Sequence, residues 1–148
     1  MKILFVCTGN TCRSPMAEGM FRKMMQERDM EERVLCQSAG LSAVDGTPVS
    51  ENAVLACREI GVDISGHKAR NLSSLKDLDI FDAFVVMTET QAYVLKQAGV
   101  PEDKLYLLGE EEIKDPYGTD LDEFRQCRDQ IWRQLQVLFQ RLCRFIRK

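Results

Sequence analysis

The chain has 148 residues, of which 45% are hydrophobic and 29% charged, and its formal net charge is −3. This composition predicts one compact domain over residues 1–148 and lacks the basic surplus typical of nucleic-acid-binding proteins. No apolar run approaches the roughly 20 residues that a membrane-spanning helix needs, and the N-terminal run is too short for a secretory signal. We therefore expect a cytoplasmic protein with no membrane or nucleic-acid partner.

The first part of the chain alternates an apolar run with a helical pattern. Lys2–Cys7 is a short apolar run followed by a Gly-Asn turn, which predicts a buried parallel strand. Ser14 and Pro15 are typical of a helix cap and a first helical residue, so a helix is predicted from there to about Arg28. A second strand is predicted at Val34–Ser38.

The same alternation continues to the end of the chain. We predict a helix from Ser50 to Ile60, a strand at Phe81–Met87, a helix from Thr88 to Ala98 and a strand at Lys104–Leu108. A long helix begins near Asp120, with an apolar stripe at Phe124, Ile131, Leu135, Leu138, Leu142 and Ile146. The stripe fits either a coiled-coil seam or a helix lying on a sheet. The whole pattern predicts a three-layer α/β fold, a doubly wound four-stranded parallel sheet with helices on both faces.

The segment from Cys7 to Ser14 has the features of a phosphate-binding loop. Ligands of doubly wound sheets bind beyond the carboxyl ends of the strands. Here the loop leads from a strand into a helix N-terminus, where backbone N–H groups and the helix dipole attract anions. Gly9 and Asn10 are the residues most able to take left-handed backbone angles. The same field stabilises a thiolate at Cys7, and the Arg13 guanidinium can bind two phosphoryl oxygens.

Other interpretations of this segment explain less. The nucleotide-binding patterns G-x-x-x-x-G-K-[ST] and G-x-G-x-x-G are both absent. A structural cysteine in an ordinary strand-to-helix turn is the remaining alternative.

The other cysteines, Cys36, Cys57, Cys127 and Cys143, lie in apolar patterns and are expected to be core or surface thiols. The lone His67 and the lack of a CxxC pair argue against a structural zinc, so we expect no metal.

Residues 7–18, Cys-Thr-Gly-Asn-Thr-Cys-Arg-Ser-Pro-Met-Ala-Glu, resemble the signature loop of the low-molecular-weight protein tyrosine phosphatase family. Landmarks in the family's order follow at Ser38-Ala39-Gly40, His67 with Arg70, Met87 and Asp115-Pro116-Tyr117. The resemblance covers essentially the whole chain and implies a cysteine-dependent phosphatase with a phosphocysteine intermediate. It implies that Cys7 and Arg13 are catalytic and that the phosphate is bound by Thr8, Gly9, Asn10, Thr11, Cys12 and Ser14.

The resemblance also selects the proton donor. The leaving group needs a proton and the phosphocysteine needs an activated water, and one carboxylic acid can serve both steps. Among 23 acidic residues, the resemblance points to Asp115, which on its own would be a turn former before Pro116. Tyr117 is then expected to form one wall of the substrate cleft. Many family members carry a second aromatic residue next, whereas Gly118 stands here.

Two further expectations concern the loop itself. By the family's pattern, Ser14 donates to the Cys7 thiolate, while Asn10, Ser38 and His67 form a supporting polar network. Cys12 is either kept for its size or forms a reversible disulfide with Cys7 under oxidation, as the resemblance implies.

Thr11 bears on the choice of substrate. Tyrosine-directed members usually carry a larger aliphatic residue, commonly Ile, at this position, whereas the family's bacterial protein-arginine phosphatase branch carries Thr in the same string. A phosphoarginine side chain is thin, planar and polar, and its guanidinium can pair with Asp115. We therefore expect phosphorylated proteins as partners, with phosphoarginine as the preferred substrate and phosphotyrosine as the alternative.

Two other functions fit the sequence less well. Arsenate reduction through a cysteine relay needs two more cysteines after the third strand, and residues 87–97 contain none. A non-catalytic phosphate-binding module needs neither the nucleophile Cys7 nor the acid Asp115. No cofactor is expected, because the loop and Arg13 supply the charge that a metal would provide, and nothing demands more than a monomer.

Overall fold

The computed structural model describes residues 1–146 and contains a four-stranded parallel sheet in the order β2-β1-β3-β4. The strands are β1 (Lys2–Cys7), β2 (Leu35–Gly40), β3 (Ala83–Val86) and β4 (Leu105–Leu107). The first strand in the chain is thus central, and the chain order reverses beside it. A crevice opens at such a switch point, beyond the carboxyl ends of the strands.

Helices cover both faces of the sheet, which confirms the predicted doubly wound α/β fold. They are α1 (Arg13–Glu27), α2 (Glu51–Arg58), α3 (Glu89–Gln97) and α4 (Leu121–Ile146), with short 3₁₀ turns at Leu72–Ser74, Leu78–Ile80 and Glu102–Lys104. One core contains Phe5 with α1, α2 and α4, and the other contains Leu4 with α3. The whole predicted stripe of the last helix is buried, and α4 packs on α1 and α2.

Several predicted boundaries differ from the structure, including the start of β3 at Ala83 rather than Phe81. At three of them a tertiary contact overrides the local pattern. Helix α1 begins at Arg13, and Ser14 lies inside it rather than capping it, since its hydroxyl bonds to the loop. Strand β2 extends to Gly40, which pairs with Cys7. Strand β3 ends before Met87, because the Met87 N–H donates to a glutamine side chain.

The predictions for the four cysteines outside the phosphate-binding loop agree with the structure. All six cysteines are free thiols. Cys36, Cys57 and Cys127 are buried, and Cys143 is partly buried. Over residues 1–146, no helix is both long and apolar enough to cross a bilayer.

Candidate active site

A cleft of about 290 Å³ opens where β1 meets α1. Cys7 lies at its floor and is only 2% exposed. The cleft brings together the predicted Cys7, Arg13 and Asp115, although Asp115 is far from the other two in the chain. The remaining lining residues are Thr8, Gly9, Asn10, Thr11, Cys12, Ser42, Ala43, Val44, Thr47 and Tyr117.

Two hydrogen bonds converge on the Cys7 sulfur. The Ser14 hydroxyl oxygen lies 2.9 Å from Cys7 Sγ, and the backbone N–H of Asn10 donates to the same atom at 3.3 Å. Ser14 Oγ also accepts from Asn10 Nδ2 at 2.8 Å. Because a hydroxyl has one proton, this second bond leaves the Ser14 proton to be donated to the sulfur. Both donors stabilise an anionic sulfur, which is the nucleophilic form of cysteine.

Asn10 is fully buried, and its side chain links the loop to three other segments. Its Nδ2 donates to Ser14 and, at 3.0 Å, to Ser38 Oγ. Its Oδ1 accepts from the Arg70 N–H at 2.8 Å and lies 3.2 Å from His67 Nε2. The carboxamide therefore uses its full hydrogen-bonding capacity, and the predicted contacts of Ser38 and His67 with the loop are present.

The loop backbone depends on two residues for its shape. Asn10 has φ of 57°, in the left-handed region where asparagine is tolerated. The prediction that Gly9 shares this conformation was wrong, since its φ is not positive. Gly40 at the end of β2 is required instead, because a Cβ there would lie 2.6 Å from the Thr8 carbonyl oxygen.

Glu18 extends the polar network and was missed as a site residue. Ser38 Oγ donates to Glu18 Oε1 at 2.5 Å, and His67 Nδ1 lies 3.9 Å from the same oxygen. His67 Nε2 faces two oxygens of Asn10 at 3.1 and 3.2 Å, so this nitrogen carries a proton. Burial holds the pKa of His67 below its ordinary value, which favours the neutral ring. The sequence signals for Glu18 are its place at the end of the family's signature string and its position one helical turn after Ser14.

Arg13 connects the phosphate-binding loop to the segment that carries Asp115. It is 4% exposed, its Nη1 donates to the Ile113 carbonyl at 2.8 Å, and its Nη2 lies 3.7 Å from Asp115 Oδ2. The Asp115 side chain is half exposed, and its other oxygen accepts from the Tyr117 N–H at 3.1 Å. Tyr117 lies at the rim, 72% exposed. A buried cation thus faces the same cleft as an accessible carboxylate.

Thr11 and Cys12 lie between Asn10 and Arg13, and both line the cleft. Thr11 is partly exposed in the cleft, and its carbonyl accepts from the Ser50 N–H at 2.9 Å, which joins the loop to α2. Cys12 is 3% exposed, and burial raises the pKa of its thiol to about 11. Cys12 is therefore a neutral thiol near pH 7, and its disulfide with Cys7 stays a prediction.

Sequence reasoning also missed Gln91, which contacts the loop from α3. Its Nε2 donates to Thr8 Oγ1 at 3.2 Å. The signal was present in the pattern Thr88-x-x-Gln91, which is typical of a capping box, but nothing local indicates that the glutamine also reaches the loop. Within the described part of the chain, no group of three or more acidic, cysteine or histidine side chains is placed to hold a metal.

The arrangement can carry out nucleophilic displacement at phosphorus. It combines a sulfur held by two donors, a helix N-terminus that attracts anions, a buried guanidinium and a carboxyl group at the mouth of the cleft. These are the parts needed to attack a phosphoryl group, to stabilise its developing charge and to protonate the leaving group.

Comparisons with known proteins agree with this chemistry. Residues 2–147 match the family described as low molecular weight phosphotyrosine protein phosphatase. The protein-arginine-phosphatase of Bacillus subtilis (strain 168) is 32% identical over 149 residues, which cover 96% of this chain and 97% of that protein. The structure of a low molecular weight protein tyrosine phosphatase from T. tengcongensis is similar with a TM-score of 0.87 and 34% identity, covering 96% of this chain and 99% of that one.

A further solved structure bears on the mechanism. It is a cysteine-to-serine mutant of the YwlE arginine phosphatase with a phosphorylated active-site serine, similar to this chain with a TM-score of 0.87 and 30% identity. The similarity covers 97% of this chain and 96% of that structure's chain. Relatives named for arginine and for tyrosine thus have similar identity to this chain, so overall similarity does not select the substrate.

Proposed function

This chain belongs to the low molecular weight phosphotyrosine protein phosphatase family of cysteine-based phosphatases, and we propose that it removes phosphate from phosphorylated arginine side chains in proteins. The phosphatase chemistry in this proposal rests on one arrangement, the Cys7 sulfur held by Ser14 and Asn10 in the cleft that Arg13 and Asp115 share. Phosphotyrosine is the alternative substrate.

The first step transfers the phosphoryl group to the enzyme. The Cys7 thiolate attacks phosphorus, an S–P bond forms and the P–N bond to the arginine side chain breaks. Negative charge on the phosphoryl oxygens is stabilised by the N–H groups of the loop, those at the start of α1 and the Arg13 guanidinium. The Asp115 carboxyl group gives its proton to the leaving guanidine nitrogen.

The second step returns the enzyme to its starting state. The Asp115 carboxylate accepts a proton from a water molecule, whose oxygen attacks the phosphocysteine. The S–P bond breaks, inorganic phosphate forms, and Cys7 leaves as a thiolate that the Ser14 hydroxyl and the Asn10 N–H stabilise. Asp115 is protonated again and is ready for the next substrate.

The preference for arginine is supported by Thr11 and Asp115. Thr11 lines the cleft with a small, partly polar side chain, where Ile would narrow it and remove a hydroxyl. The half-exposed, protonated Asp115 carboxyl group can donate its proton to one guanidine nitrogen and accept a hydrogen bond from another, which suits a planar guanidine-type leaving group. A single such position can shift preference between substrates by about 1–3 kcal/mol. The exposed ring of Tyr117 supports the tyrosine alternative, because it can stack on a phenyl group.

Paired peptides test the preference directly. We expect a higher kcat/KM for a phosphoarginine peptide than for a phosphotyrosine peptide with the same flanking residues. A reversed ratio would reject the arginine assignment and support tyrosine. Thr11→Ile should move the ratio towards phosphotyrosine by about tenfold, whereas Thr90→Ile, on the exposed start of α3, should leave it unchanged. An unchanged ratio in Thr11→Ile would show that Thr11 does not determine the preference between phosphoarginine and phosphotyrosine.

A further inference from the structure

The Gln91 carboxamide has a fixed orientation beneath the phosphate-binding loop. The residue is 3% exposed, and its Oε1 accepts from the N–H of Met87 at 2.8 Å and of Thr88 at 3.1 Å. Both partners are donors, so this atom must be the carbonyl oxygen, and the NH₂ group must point the other way. There it donates to Thr8 Oγ1 at 3.2 Å.

This contact determines what the Thr8 hydroxyl can do. The hydroxyl has one proton, and because its oxygen accepts from Gln91, that proton is available to a different partner. Thr8 directly follows the nucleophile and lines the phosphate cleft. A phosphoryl oxygen in that cleft is a strong acceptor for such a donor.

We propose that Gln91 is a positioning residue that sets the Thr8 hydroxyl as a hydrogen-bond donor to the phosphoryl group bound at Cys7. The inference rests on the proposed phosphatase function. The competing explanation is purely structural, because Gln91 also completes the capping box of α3 with Thr88. A cap alone would affect folding and would leave the affinity of the cleft for phosphate unchanged.

Gln91→Glu separates the two roles. The glutamate keeps an oxygen for the N–H groups of Met87 and Thr88, and its charge is favourable at a helix N-terminus, so thermal stability should be retained. Its second oxygen, however, faces Thr8 as an acceptor and draws the hydroxyl proton away from the cleft. By calorimetry we expect the Kd for inorganic phosphate to rise about tenfold, with KM rising more than kcat falls.

Thr8→Val provides the matched background, because it removes the hydroxyl and keeps the side chain's shape. If Gln91 acts through Thr8, adding Gln91→Glu to Thr8→Val should change the Kd for phosphate by less than about twofold. If Gln91→Glu still raises the Kd for phosphate about tenfold in the Thr8→Val background, the new charge repels phosphate directly. That result would overturn the proposal. Wild-type affinity in Gln91→Glu, or a lower melting temperature with unchanged KM, would also overturn it.

The wild-type protein separates this proposal from the function on which it rests. Hydrolysis of a phosphoarginine peptide and binding of inorganic phosphate by the wild type test the proposed function alone. If both are absent, the proposed function and the role of Gln91 fail together. If both are present and Gln91→Glu matches the wild type, only the role of Gln91 fails.

Discussion

The two loops that meet at the cleft are held in opposite ways. In the phosphate-binding loop, the fully buried Asn10 bonds to the segments that carry Ser38 and Arg70. In residues 110–119, by contrast, all positions except Ile113 and Pro116 are exposed. Cys7 and Arg13 are therefore part of the packed interior, while the proton donor lies on a surface segment. We expect changes in the first loop to affect stability and activity together, and changes at Asp115 to affect activity alone.

The largest effect is expected for Cys7→Ser, which removes the nucleophile from the phosphate-binding loop. Turnover should fall by at least about 10⁴-fold, because a serine oxygen is a weaker nucleophile and a poorer leaving group than a thiolate. Phosphate binding should be retained. Steady-state kinetics and calorimetry measure the two quantities, and turnover close to wild type would contradict the role of Cys7.

Asp115→Asn tests the exposed loop, with the second largest expected effect. Loss of the proton donor should lower kcat by about 10²–10³-fold. The free energy of unfolding should change little, because the side chain is half exposed and 3.7 Å from its ionic partner. Glu111→Gln, an exposed neighbour on the same segment, serves as the control and should keep wild-type kinetics. A large loss of stability in Asp115→Asn would remove the contrast between the loops.

Asn10→Ala tests the buried network that supports the first loop. It removes a carboxamide with a full set of partners and places alanine at a left-handed φ. We expect the free energy of unfolding in urea to fall by about 3 kcal/mol, with reduced activity. Asn52→Ala is the matched control, because Asn52 makes one side-chain hydrogen bond, to the Thr119 carbonyl. Equal stability of the two variants would show that the Asn10 network is not a stabilising element.

The smallest effect is a pH dependence of stability centred on His67. Burial lowers the pKa of this histidine in the folded state below that in the unfolded state. The unfolded chain therefore binds the proton more readily, and stability should be lost as pH falls from 7 through about 6.5. His67 is the only histidine, so His67→Gln should flatten this slope in urea titrations. An unchanged slope would assign the pH dependence to other groups.

The sequence predicted the contiguous parts of the site well and the distant contacts poorly. Strand, loop and helix start follow one another between β1 and α1, so local pattern and elementary electrostatics locate Cys7 and Arg13. Asp115 was selected by family resemblance alone, because its spacing from the loop carries no signal. The contact from Arg13 to the Ile113 carbonyl spans 100 positions, and the Ile113 N–H in turn donates to the Met87 carbonyl after β3.

Two side chains show why the remaining contacts could not be predicted. Gln91 has the position of a helix cap, and its second contact with Thr8 appears only when β1 and β3 are side by side. Ser14 is a residue type typical of helix caps, yet its hydroxyl bonds to the Cys7 sulfur because the loop folds back over it. In both cases tertiary structure gives a group with several hydrogen-bonding options one particular set of partners.

The bond from Arg13 to the Ile113 carbonyl has a consequence for biosynthesis. A nascent chain that has emerged only as far as α3 already contains Cys7 and the whole phosphate-binding loop, but its guanidinium lacks this acceptor and α1 lacks the covering surface of α4. Such a chain should be unable to hydrolyse substrate while it is still on the ribosome. We therefore expect activity to begin late in synthesis, when the last third of the protein docks.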